Sequence, residues 1–325
     1  MKSRVAVGGL LALMLTGCAT AASDFPSIRE VVAFGDSLSD CGTFGFVPTT
    51  IPARAWDQQV AQRMHYDLTP NWTGNLPGLT QGVVTQTNPA DLCYAQAGAR
   101  VTDGTQGKPP LSGSAQLNRY LAEHKRFTSE QLVTVYLGTN DVLGAFFPLS
   151  ASGKSDAVAK TAAGEAVKRA AIQLAVLVDQ ILDHGAEHVA VLNLYDLGKS
   201  TYDNPSLSEL TAQFNATLAA LLPRDHRIIA VDTHALFDQL AANPAAFGFK
   251  NPMNDNACKD SSLFDLKCFT DPALWKSPDA DKTYILIGMV HFTGRTEKLL
   301  ADYVLRQVIR SEAAASPRRE AGISE

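Results

Sequence analysis

The chain has 325 residues, 46% of them hydrophobic, and a formal net charge of −5. It is long enough for one large domain or two medium ones, and apolar enough to bury a substantial core. No basic run exists, which argues against a nucleic-acid partner; no internal repeat or Gly/Pro/Ser-rich linker divides the middle, so one domain is expected.

Residues 1–17 carry Lys2 and Arg4 and then the apolar run Val5 to Leu15, the pattern of an export leader. The run is too short to span a bilayer as a mature helix. It ends Leu15-Thr16-Gly17-Cys18, which resembles the lipobox of bacterial lipoproteins. That resemblance implies a lipid on Cys18, which becomes the new N-terminus. With Ala19 next, it implies attachment to an outer membrane, facing periplasm or cell surface. The alternative is ordinary cleavage after Ala19-Thr20-Ala21, giving a secreted protein. Both readings export the chain. Residues 18–27 then read as a linker, 28–310 as the domain, and the polar stretch 311–325 as a frayed, disordered tail.

Within the domain, Val31-Val32-Ala33-Phe34 is apolar and β-branched and ends abruptly in Gly35-Asp36-Ser37. That predicts a buried parallel strand with a serine at its carboxyl end, where open α/β sheets build their sites. Residues 53–65 and 113–125 read as short helices. The Gly/Asn/Thr/Pro-rich stretch 69–90 between them reads as loops near the site. Val133 to Leu137 predicts a second strand, running into Gly138-Thr139-Asn140-Asp141. Residues 145–154 read as another loop. Ser155 to His184 is a long amphipathic helix, with Ser155 able to cap its start and Gly185 suited to a left-handed stop. His188 to Leu194 follows as a strand, Tyr195 to Gly198 as a loop, Leu207 to Leu222 as a helix and Arg227 to Asp232 as a strand. Tyr284 to Val290 predicts a last strand delivering His291, and Thr293 to Arg310 a closing helix. Strands alternating with helices imply a parallel sheet covered on both faces.

A serine, an asparagine and a histidine at strand or loop ends form the inventory for acyl transfer: nucleophile, oxyanion donor and base. Ser37 and Asn140 could instead be turn residues capping helices. The other histidines sit within or beside helices and strands and read as structural or surface residues. Besides Cys18 there are Cys41, Cys93, Cys258 and Cys268, an even number in an oxidising compartment. Cys258 and Cys268 flank a short polar loop that suits a disulfide. Neighbouring strands could bring Cys41 to Cys93, or both could remain buried thiols. No CxxC is present, and the His184–His188 pair has Gly185 inside it, so neither a metal nor any other cofactor is expected.

Four blocks of the chain, in order, resemble the GDSL-type lipase/esterase family of the SGNH hydrolase superfamily. Phe34 to Gly42 (FGDSLSDCG) resembles the first block, which carries the nucleophile. Cys93-Tyr94-Ala95-Gln96-Ala97-Gly98-Ala99-Arg100 resembles the second, usually Asn-Tyr-Ala-x-Gly-Gly-Ala. Gly138-Thr139-Asn140-Asp141 resembles the third, and Met289-Val290-His291-Phe292-Thr293 the last, usually Asp-x-Val-His-Pro-Thr. Order and spacing fit from about residue 28 to 310. The resemblance implies a three-layer α/β/α sandwich with a mainly parallel, five-stranded, flavodoxin-like sheet. It implies an exported serine hydrolase of carboxylic esters or lipids. Ser37 would be its nucleophile and His291 its base. The oxyanion hole would use the backbone N–H groups of Ser37 and Gly98 and the Asn140 side chain. Asn193 and Asp196 resemble a further block.

The last block departs from the family. Three residues before the histidine, where aspartate is usual, stands Gly288, and Phe292 replaces the usual proline. A triad carboxylate fixes the imidazole tautomer and stabilises the imidazolium; perturbing it in serine proteases costs about 10⁴ in kcat. Three substitutes are conceivable: a backbone carbonyl, a carboxylate from Asp279-Ala280-Asp281, or a small anion such as chloride or a water at Gly288. Without one, the chain reads as an impaired relative with a binding or structural role in the cell envelope. Asp36 reads as a loop-fixing carboxylate rather than a triad member.

Overall fold

The computed structural model describes residues 27–75, 83–102, 109–152, 157–260 and 266–321. The leader, Cys18 and the helix cap expected at Ser155 lie outside the described residues. Strand β1 (Glu30–Gly35) is followed by helix α1 (Trp56–Arg63) and an antiparallel hairpin of β2 (Trp72–Asn75) and β3 (Val83–Thr87). Helix α2 (Gly113–His124), β4 (Gln131–Tyr136), α3 (Thr139–Ser152) and α4 (Ala157–Asp183) come next. Then follow β5 (His188–Leu192), α5 (Pro205–Leu221), β6 (Ile228–Val231) and α6 (Thr233–Ala242). Two single-turn helices, α7 (Lys267–Thr270) and α8 (Ala280–Thr283), precede a short hairpin of β7 (Leu286–Ile287) and β8 (His291–Phe292). Helix α9 (Gly294–Ala321) closes the fold.

The central sheet is fully parallel, with strand order β1-β4-β5-β6. Every residue of β4 and β5, and all of β1 past Glu30, is buried. That is the pattern of strands covered on both faces, and it explains their continuous Val/Leu/Ile/Phe runs. Helices α1 and α9 pack on each other and against opposite ends of the sheet, at β1 and β6. Helices α2, α3, α4 and α5 form a second packed layer. The result is the three-layer α/β/α sandwich. The register pairs Gly35 of β1 with Tyr136 of β4, so the two strands end level. Ser37 and Asn140 therefore emerge side by side at one carboxyl edge.

Four expectations are corrected. The sheet has four strands among the described residues, not five. Residues 92–96 run beside β1, with Ala33 N–H on the Leu92 carbonyl at 3.0 Å and Tyr94 N–H on the Ala33 carbonyl at 2.8 Å. Only one parallel bridge forms there, Ala33 to Cys93, because the chain turns away after Gln96 toward Gly98. Second, Tyr284 to Val290 is not a strand of the central sheet. Gly288 has φ +63°, and the chain folds back there, pairing Ile287 with His291 and Leu286 with Phe292. A left-handed residue in mid-run breaks the extended path, and glycine takes it at the least cost. Third, the loop stretches hold structure: 69–90 contains β2 and β3, and most of 145–154 belongs to α3, which continues through Pro148. Helix α9 also runs past Arg310 to Ala321, where fraying was expected. Gly185, with φ +96°, ends α4 as anticipated.

Candidate active site

Ser37 sits just past β1 in a turn closed by its neighbour: Asp36 Oδ1 accepts the Leu38 N–H at 3.0 Å. No helix begins there, so Ser37 is not a cap. Asp36 is 1% exposed, and burial pushes its carboxyl up to about 7. Asp40 takes three backbone donors. Its Oδ1 accepts from Gly42 at 2.9 Å and Thr43 at 2.7 Å, and its Oδ2 from Ala97 at 2.7 Å. Burial still outweighs those bonds and raises it to about 6. Asp40 thus ties the serine turn to the turn carrying Gly98. The Cys41–Cys93 disulfide makes the same tie covalently.

On the other side of that turn, Asn140 lies in the first turn of α3. Its Nδ2 donates to the Ala99 carbonyl at 2.9 Å, not to its own helix, which leaves a second amide hydrogen. Among the described residues, the backbone N–H groups of Ser37 and Gly98 donate to no protein acceptor. Unengaged donors on two tied turns, beside a side-chain amide, are what an oxyanion hole requires. The replacement of the family's glycine by Ala97 leaves the Ala97 N–H bonded to Asp40 and the Gly98 N–H free.

His291 completes the group, with Nε2 2.9 Å from Ser37 Oγ. Its backbone is pinned on both sides. Thr201 Oγ1 donates to the Met289 carbonyl at 2.9 Å, Tyr195 to the Val290 carbonyl at 2.7 Å, and Thr49 Oγ1 to the Phe292 carbonyl at 2.9 Å. The other ring nitrogen, Nδ1, is buried and, among the described residues, has no hydrogen-bond partner. A Cβ on Gly288 would lie 3.8 Å from it. A carboxylate carried by that Cβ would have Nδ1 within reach, and this chain has glycine there. Among the described residues, neither substitute from the chain reaches the ring. Among the described residues no backbone carbonyl accepts from Nδ1, and Asp279 is held elsewhere, by Lys250 Nζ at 2.9 Å and Ser277 Oγ at 2.8 Å. Asp281 makes no bond to it either. With burial as the only influence, the imidazole's proton affinity falls from 6.5 to about 4.

Cys258 and Cys268 form a disulfide beside this turn, and the Cys258 Sγ accepts the Gly288 N–H at 3.4 Å. Cys41, Asp57 and Cys93 are the one grouping of metal-ligand atoms among the described residues, and its sulfurs are bonded to each other. Asn193 and Asp196 hold loops: Asn193 Oδ1 accepts the His234 N–H at 2.9 Å, and Asp196 Oδ1 accepts the Gly198 N–H at 3.0 Å. Sequence reasoning did not single out Asp40, Tyr195, Thr49, Thr201 or Phe269 as site supports. Asp40 was within reach, as an acidic residue buried in the serine block. The threonines carry no local signal, because their partners are some 90 to 240 positions away.

One protein-family model, GDSL-like lipase/acylhydrolase, matches residues 31–304. No curated protein matches the chain.

Proposed function

The chain belongs to the GDSL-like lipase/acylhydrolase family and is an enzyme acting on ester bonds; we propose that it does so with Ser37 as nucleophile and His291 as base. The observation that carries this is the 2.9 Å contact between Ser37 Oγ and His291 Nε2. In the acylation step Ser37 Oγ bonds to the ester carbonyl carbon, and its proton passes to Nε2. The N–H groups of Ser37 and Gly98 and the Asn140 amide hold the oxyanion. The imidazolium then protonates the departing alkoxide, and a water, activated by the same nitrogen, releases the acid. The substrates are carboxylic esters or lipids.

Asn140→Ala is expected to lower kcat by about 10²–10³, the cost of one oxyanion donor, with a smaller change in KM. An unchanged kcat would make Asn140 structural. That Nδ1 has no partner among the described residues supports a second reading, an impaired relative that binds in the cell envelope. Assaying the purified chain on esters from acetyl to long-chain acyl separates the two. Turnover abolished by a serine-reactive phosphonate supports the hydrolase, and inactivity across the panel supports the binding protein.

Export and attachment to an outer membrane through a lipid on Cys18 belong to the same proposal. Among the described residues no helix is long and apolar enough to cross a membrane. Cys18→Ser is expected to move the protein from the membrane to the soluble fraction, since acyl chains supply the anchoring energy. Retention on membranes in high salt would contradict a lipid anchor at Cys18.

A further inference from the structure

We propose that Phe269 is a positioning residue that holds the His291 imidazole where the family uses a carboxylate, with the Cys258–Cys268 disulfide as its anchor. This rests on the Ser37–His291 reading above. Among the described residues no group hydrogen-bonds Nδ1, so no protein hydrogen bond there sets the ring's rotation from that side. Phe269 stands against the imidazole instead, ring centroids 5.0 Å apart and planes at 87°. This is the edge-on arrangement that aromatic quadrupoles favour. The same phenyl ring borders the place of the absent carboxylate: a Cβ on Gly288 would lie 3.4 Å from Phe269 Cζ and 3.8 Å from Nδ1.

Phe269 is itself fixed. It is 3% exposed, stacks on Phe46 at 5.9 Å and accepts the Ile51 N–H on its carbonyl at 3.2 Å. The preceding residue, Cys268, is bonded to Cys258 and accepts the Trp275 indole N–H at 2.8 Å. Cys258 Sγ in turn takes the Gly288 N–H. One disulfide therefore grips both structures that flank the imidazole, the Phe269 ring and the Gly288 turn.

An apolar wall differs from a carboxylate in one measurable way. It restricts the ring but gives the imidazolium no counter-charge, and it keeps water off Nδ1. Asp36 and Asp40 are engaged in the serine turn, Tyr195 donates to the Val290 carbonyl, Asp271 Oδ1 accepts the Ala273 N–H, and Asp279 is held by Lys250 and Ser277. None of them adds to the influence of burial on His291. Thinning the wall should wet the ring and return its proton affinity toward 6.5.

The test is steady-state kinetics against pH on the full chain, with Phe269→Leu, Phe269→Tyr and the double variant Phe269→Leu/Gly288→Asp. Phe269→Leu is expected to lower kcat at least about tenfold, or about 1.4 kcal/mol, with KM within about twofold. Its acid limb should move up from about 4. Phe269→Tyr should keep most of the activity, and the added aspartate should restore much of what leucine loses. Phe46→Leu, which loosens the stack without touching the imidazole, should lower kcat in the same direction and serves if Phe269→Leu does not fold. Wild-type kcat and acid limb in Phe269→Leu or Phe46→Leu would overturn the proposal. Equal losses in the leucine and tyrosine variants with an unmoved acid limb would overturn it too. So would chloride-dependent wild-type activity that Phe269→Leu leaves unchanged, since an anion would then orient the ring. Ser37→Ala separates the two levels. If it remains active the site reading fails, whereas an inactive Ser37→Ala beside an unaltered Phe269→Leu sinks this inference alone.

Discussion

Ser37→Ala is expected to abolish ester hydrolysis, lowering kcat by up to about 10⁶, the scale on which removing a serine nucleophile acts. The fold should not register the change. Among the described residues the hydroxyl makes one hydrogen bond, to His291, and the turn is closed by Asp36 and Asp40, which the substitution leaves alone. Thermal unfolding should therefore match the wild type while turnover disappears. Wild-type turnover in the variant would remove Ser37 from the chemistry.

His291→Gln should cost a comparable amount, and Ser37→Ala/His291→Gln should be no worse than either single variant, because nucleophile and base act as a unit. The pH profile of the wild type carries a further expectation. A general base works unprotonated, and burial holds His291 down to about 4. Activity should thus persist at pH 5 and fall as pH drops through about 4, where an unburied histidine would already be failing near 6.5. The same shift bears on stability. The unfolded chain takes up this proton near 6.5 and the folded chain near 4. This site therefore contributes its full stability above the unfolded value and loses it progressively as pH falls between the two. An acid limb at 6–7 in kcat/KM would show a solvated or carboxylate-paired imidazole, contrary to the contacts observed.

Much of the site was legible because its residues lie on local sequence signals. A buried parallel strand announces itself as a continuous apolar run, and both β1 and β4 do so before Ser37 and Asn140. Helices α1, α2, α4 and α5 fall within a few residues of their expected limits, with Ser112 capping α2, Asn204 capping α5 and Gly185 ending α4. Tyr284 to Val290 was misread because an apolar run looks the same whether it enters a sheet or folds back on itself. Only the left-handed Gly288 distinguishes the two. The fifth strand failed for a related reason: Cys93 does pair with β1, but the requirement to reach Gly98 shortens the pairing to one bridge. Phe269 was invisible as a site residue. It lies 22 positions from His291 and reads as one more core aromatic until the hairpin and the disulfide set it against the imidazole.

The central claim is that Ser37 and His291 form a working nucleophile and base without a carboxylate. Its most direct test is covalent labelling with a serine-reactive phosphonate ester, followed by mass spectrometry of the digested chain. One equivalent of adduct on the peptide containing Ser37, lost in Ser37→Ala and strongly slowed in His291→Gln, is the predicted result. An adduct on another residue, or ester turnover with Ser37 unlabelled, would contradict it.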